Sequence, residues 1–310
     1  VLLPNYSWPN HYWFYQAIIF PLYQVFGFWG LTFFNALLMS VAIFLFYKTA
    51  KSSAFFLFYF FFFIFISWGV FNLGIRSQEM SFFFFSFLLF ILSKIRQIRL
   101  IGLIIPLVFL LWANMHGGSV VLGIYLLAFF LVTSPIGLIR QIGLICLTSF
   151  LVTLLNPFGL AIYQDAFRHF QGPIDLSKII AEWVPPDPFV WFIIFITTAA
   201  FFLLAIFSRK RKNILLAIFL LPLCFLALKA RRHIPFYFLF FFYALLESKL
   251  LDIIKIKENF KQPLQVSLIV FLLIIAPVLN LPSTIKTNAS FQDYCDRSSI
   301  IYPCKAIEFL

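Results

Sequence analysis

Apolar residues run along this chain in blocks of about fifteen to twenty, close to the ~20 residues a helix needs to cross a hydrocarbon core. Short breaks carrying charge, glycine or proline separate the blocks. Read as helices, they predict about ten spans. These run from Leu31 to Tyr47, Ala54 to Phe71, Met80 to Leu92, Leu100 to Trp112, Val120 to Val132, Leu138 to Leu155, Phe189 to Phe207, Ile214 to Leu228, Ile234 to Leu246 and Leu264 to Leu279. Several are shorter than a full crossing. Short spans are expected where helices border a water-filled cavity, since irregular backbone at membrane depth needs protein or water partners. The expected fold is all-α, a polytopic transmembrane helix bundle.

Ahead of the first span, the run from His11 to Phe26 is amphipathic and rich in aromatics. With Trp8, Trp13 and Tyr15 it predicts a helix lying in the headgroup region of the outer face. Three parts follow from this pattern: an extracytoplasmic stretch over 1–29, a transmembrane domain over 30–282 with a long outer loop at 156–188, and a tail over 283–310 leading towards a soluble domain.

Composition removes the soluble alternatives. With 63% hydrophobic and 11% charged residues and a mean hydropathy of +1.00, the chain lacks the polar surface to coat a water-soluble globule. Most of the 47 phenylalanines read as lipid-facing filler. The net charge of +12 would point to nucleic acid in a soluble protein. Here the cations sit between apolar blocks, so membrane lipid is the expected partner and nucleic acid is not.

Those cations set orientation by the positive-inside rule. One set of connections carries Lys48, Lys51, Lys94, Arg96, Arg99, Arg140, Arg209 to Lys212, Lys249, Lys255, Lys257 and Lys261, fourteen of the 23 Lys and Arg. That face is expected to be the cytoplasmic side of a bacterial inner membrane, with both ends of the chain extracytoplasmic. The chain opens at Val1 without a leader pattern and closes on the apolar run from Ala306 to Leu310, so both ends are expected to continue. Cys146 and Cys224 fall inside spans and read as small apolar residues. Cys295 and Cys304 flank a polar stretch of the tail and form a candidate disulfide.

Polar islands on the other face are harder to explain by folding alone. Arg76 and Glu79 interrupt a Phe-rich wall, either as a mutual pair at a helix start or as a cation oriented to receive phosphate. Trp112, Asn114 and His116 lead into Gly117 and Gly118, which permit a tight turn. Asn156-Pro157 opens the outer loop and Glu182-Trp183 lies near its end, where the carboxylate could act as a base or pair with a cation. Lys229, Arg231, Arg232 and His233 cluster at a span boundary against the insertion bias, and paired arginines match a phosphate bidentately.

Taken together, these islands resemble the GT-C superfamily of polytopic bacterial glycosyltransferases and its relatives. Arg76-Ser77-Gln78-Glu79-Met80-Ser81 is similar to that group's Arg-Pro-Gln-x-Phe-Ser, with Ser77 in place of proline. Trp112 to Gly117 resembles its Trp-x-Asn-x-His-Gly turn, and Asn156 to Gly159, Glu182-Trp183-x-Pro185 and Arg231-Arg232-x-Ile234-Pro235-x-Tyr237 follow in the expected order. The resemblance implies an enzyme that moves a sugar from a polyprenyl-phosphate donor to an acceptor on the extracytoplasmic face. A carboxylate would activate the acceptor hydroxyl while cations stabilise the departing phosphate.

On that reading Arg76, Arg231 and Arg232 bind the donor phosphate. Asn114, His116, Asn156, Trp183 and His233 position substrate, and Glu182, Glu79 and His116 are the catalytic candidates. A divalent cation is compatible with the chemistry, although no ligand spacing marks a metal site. The group's usual catalytic acid stands in the first outer loop, and residues 1 to 30 contain no Asp or Glu. Two other classes fit parts of the pattern: a transporter or flippase of a lipid-linked anion, which should show repeats and mid-span charge, and a non-catalytic membrane scaffold.

Overall fold

A computed structural model of the chain describes residues 10–49, 76–94, 98–171 and 181–248. Regular structure there is helical throughout: α1 (Trp13–Thr49), α2 (Gln78–Lys94), α3 (Ile98–Met115), α4 (Val120–Thr133), α5 (Ile139–Thr153), α6 (Ala161–Gln171), α7 (Pro188–Phe207), α8 (Arg211–Lys229) and α9 (Ile234–Ser248). Five helical segments are long and apolar enough to cross a membrane: Trp13–Thr49, Ile98–Met115, Ile136–Thr153, Pro188–Phe207 and Arg211–Lys229. The chain is a membrane protein. The expected spans at Ala54 to Phe71 and Leu264 to Leu279, and the Cys295–Cys304 pair, lie outside the described residues.

Burial follows the helical period. On α5, Ile142, Ile145, Ser149 and Thr153 are buried while Leu144, Leu147 and Leu151 are exposed, so one stripe faces the bundle and an equally apolar stripe faces lipid. By contrast α9 is buried from Ile234 to Ala244 and forms the middle of the bundle, packed on α8 and α2. Close approach of α3 and α4 depends on Gly123, where a Cβ would lie 2.8 Å from the Trp112 ring and 2.9 Å from Phe109. One cluster of polar contacts lies inside the bundle. The Tyr237 hydroxyl meets Thr197 Oγ1 at 3.0 Å and Thr198 Oγ1 at 2.7 Å, joining α9 to α7.

Two local features differ from the sequence pattern. Gly27 breaks α1 with φ 60 and ψ −155, a backbone state open almost only to glycine. Its imaginary Cβ would touch nothing, so conformation rather than crowding selects the residue. The break separates the expected interfacial helix from the first span. Asn35 from the second half hydrogen-bonds the Glu79 carboxyl, and Tyr15 from the first lies close enough to feel its charge. The outer loop is also not all loop: α6 folds within it, burying Ile162 and Asp165 on one side.

Helix starts and stops are local in origin. Asp187 caps α7, accepting from the N–H of Phe189 and of Val190 at 3.1 Å each, with Pro188 in the first turn. At the far end of α8 and α9, Lys212 pairs with Glu247.

Candidate functional site

Asn114 and Met115 end α3, and a single 3-10 turn, Gly117–Ser119, leads into α4. Trp112 Nε1 donates to Ser81 Oγ at 2.9 Å and to Ser119 Oγ at 3.0 Å. Both hydroxyls converge on His116 Nδ1, at 2.6 and 2.9 Å, and touch each other. The Nδ1 side of the ring is thus engaged by the two hydroxyls. Burial pushes the His116 pKa down to about 3, and the nearby Arg232 and His11 add to the effect, so the ring is a neutral donor.

On the opposite wall two guanidiniums share one carboxylate. Arg76 Nη1 donates to Glu182 Oε2 at 2.7 Å and Arg232 Nη1 to Glu182 Oε1 at 3.4 Å, which leaves the trio with net positive charge. The Arg232 guanidinium also lies 4.6 Å from the Trp183 ring centre. Gln78 Nε2 donates to the Arg232 carbonyl at 3.2 Å, tying the start of α2 to the turn before α9. Extended backbone at Ala230 ends α8, and the turn Arg231–His233 sends adjacent arginines in different directions. Arg231 stays exposed, its N–H donating to the Val184 carbonyl at 3.0 Å and its Nε to the Pro185 carbonyl at 3.1 Å. Arg232 turns inward.

These groups surround a cavity of about 140 Å³. Its lining includes the polar residues Arg232, His233, Gln78, His116, Ser119 and His11, and the apolar Leu122, Leu226 and Phe236. Burial, followed by the charges of Arg232 and Lys229, lowers the His233 pKa to about 3. Neither of its ring nitrogens has a hydrogen-bond partner among the described residues. Burial also raises the Tyr12 phenol, which lies close enough to Arg232, Asp165 and Glu182 to respond to all three.

Among the residues expected from sequence, His116, Trp183, Arg232 and His233 line this cavity, and Glu182 stands behind Arg232 as its counter-charge. Arg76 is half-exposed and bound to Glu182, not paired with Glu79. Glu79 is buried against Asn35 at the start of α2. Asn114 ties elements together, accepting from Trp13 Nε1 at 3.1 Å and donating to the Leu110 and Leu155 carbonyls at 2.8 and 3.1 Å. Asn156 closes its own turn, accepting from Phe158 N at 2.7 Å. Among the described residues no three His, Cys, Asp or Glu gather as a metal centre would require.

Sequence reasoning passed over His11 and Asp165. They bind each other at 2.7 Å across 154 positions, with both side chains almost wholly buried. Ser81 and Ser119 were also passed over, although Ser81 belongs to the first polar island. Compared with protein-family models, curated proteins and solved structures, the chain finds no match.

Proposed function

We propose that this chain is a membrane glycosyltransferase of GT-C type, moving a sugar from a polyprenyl-phosphate donor to an acceptor on the extracytoplasmic face of a bacterial inner membrane. One observation supports the reading: polar residues scattered from His11 to His233 line a single cavity that is lined by apolar side chains as well. A lipid-linked phosphate has that same division, an anionic head on an isoprenoid tail. Arg232 supplies charge, the neutral rings of His116 and His233 supply hydrogen bonds, and Leu122, Leu226 and Phe236 meet the tail. The Glu182 carboxylate holds Arg232 in place, so the guanidinium needs no reorganisation as charge builds on the departing phosphate.

Native mass spectrometry of the full-length protein in nanodiscs doped with undecaprenyl phosphate tests the reading. The lipid should be retained by the wild type and by Arg231→Ala, and lost from Arg232→Gln. Equal retention by all three would remove the cavity from phosphate binding. Movement of the lipid between leaflets without cleavage of a sugar-loaded form would favour the transporter reading instead.

A further inference from the structure

His11 and Asp165 form the most deeply buried of the hydrogen-bonded His–carboxylate and Arg/Lys–carboxylate pairs among the described residues, with side chains 3% and 4% exposed. Three elements fix them. His11 precedes α1, and its carbonyl accepts from Gly117 N–H at 3.2 Å in the turn after α3. Asp165 stands on α6, whose Ile162 comes within 3.0 Å of where a Cβ on Gly117 would sit, so a side chain there would crowd the approach. A carboxylate can only accept, which places the His11 ring proton on Nε2 and a lone pair on Nδ1. Nδ1 has no hydrogen-bond partner among the described residues. Both residues line the cavity that holds Arg232, and the adjacent Tyr12 packs on His116 with ring centres 5.6 Å apart.

We propose that His11, oriented by Asp165, is the general base that activates the acceptor hydroxyl, an inference that rests on the transferase reading above. Nδ1 takes the hydroxyl proton as the acceptor oxygen bonds to the anomeric carbon. The bond from that carbon to the phosphate oxygen breaks, and its electron pair leaves on the polyprenyl phosphate. A singly charged phosphodiester thereby becomes a doubly charged monoester, balanced by the imidazolium that Asp165 stabilises. Asp165 is a positioning residue and His11 the catalytic one.

The test uses the full-length protein in proteoliposomes, offered radiolabelled undecaprenyl-phosphate mannose, glucose and arabinose in turn, with water as acceptor and released sugar counted. His11→Gln and Asp165→Asn should each lower kcat by about 10²- to 10⁴-fold with little change in KM. They should also erase the limb of the pH profile that rises with pH. Imidazole should restore part of the rate to His11→Ala, which a purely structural role would not allow. Undiminished kcat and an intact rising limb in His11→Gln would overturn the base and leave the transferase reading standing. Loss of undecaprenyl phosphate retention in step with kcat would reduce the pair to a clamp and overturn it equally. No release from any donor by the wild type would overturn the transferase reading and the base together.

Discussion

Arg232 carries its guanidinium 4.6 Å from the centre of the Trp183 ring, while Glu182, one residue before that tryptophan, accepts from the same guanidinium at 3.4 Å. Two adjacent residues of the outer loop thus hold one buried cation by face and by edge. Removing the carboxylate leaves that cation without its counter-charge, so Glu182→Ala should destabilise the folded protein by about 3 kcal/mol. Arg76→Ala removes a half-exposed partner of the same carboxylate and should cost below about 1 kcal/mol. Denaturant unfolding in detergent compares the two, and equal losses would contradict the asymmetry.

Acid should weaken the site before it weakens the spans. His116 and His233 stay neutral in the fold down to about pH 3, whereas free histidine takes its proton near pH 6.5. Between those values the unfolded chain binds more protons than the folded one. The stability present above pH 6.5 is therefore lost as pH falls towards 3. The unfolding midpoint of the wild type should drop across this window more steeply than that of His116→Gln/His233→Gln. A parallel course would show that the rings are already charged in the fold.

Two glycines inside helices should respond in opposite ways. Gly123→Ala drives a methyl into Trp112 and Phe109 and should destabilise by about 1 to 3 kcal/mol. Gly143→Ala, with nothing within 4 Å of its Cβ, should be neutral or stabilise by up to about 1 kcal/mol. Thermal unfolding of the two variants in the same detergent settles the contrast.

At Gly27 the expected penalty is one of backbone conformation alone. Gly27→Ala should cost about 1 to 3 kcal/mol because φ 60 with ψ −155 is closed to a side chain. Loss of that bend would also pull Asn35 away from Glu79. A helix that straightens without loss of stability would show that the bend is not required.

Much of the bundle was legible in the chain because block length and helical period are local properties. Breaks such as Asp187-Pro188 and Gly117-Gly118 announce where helices start and stop. The helix Ala161–Gln171 was not visible in that way, since among its described side chains only Ile162 and Asp165 are buried, within a polar stretch. Arg231 and Arg232 look alike in sequence, and only the turn they stand in separates a surface clasp from a cavity cation. No spacing rule links His11 to Asp165, because their contact exists only after the region before α1, the turn at Gly117 and α6 have met. His116 was visible as an oddity, yet its tautomer depends on Ser81, 35 positions away.

Labelling inside the cavity tests the central claim most directly. Gly118 lines the cavity, and a side chain there would meet only Ala166, at 4.0 Å. Gly118→Cys, in a full-length protein with its native cysteines replaced, should react in intact cells with a membrane-impermeant methanethiosulfonate. Undecaprenyl phosphate added to the purified protein should protect it, and Arg232→Gln should abolish the protection. Reaction only from the cytoplasmic side, or labelling indifferent to the lipid, would contradict an outward-facing site for a lipid-linked phosphate.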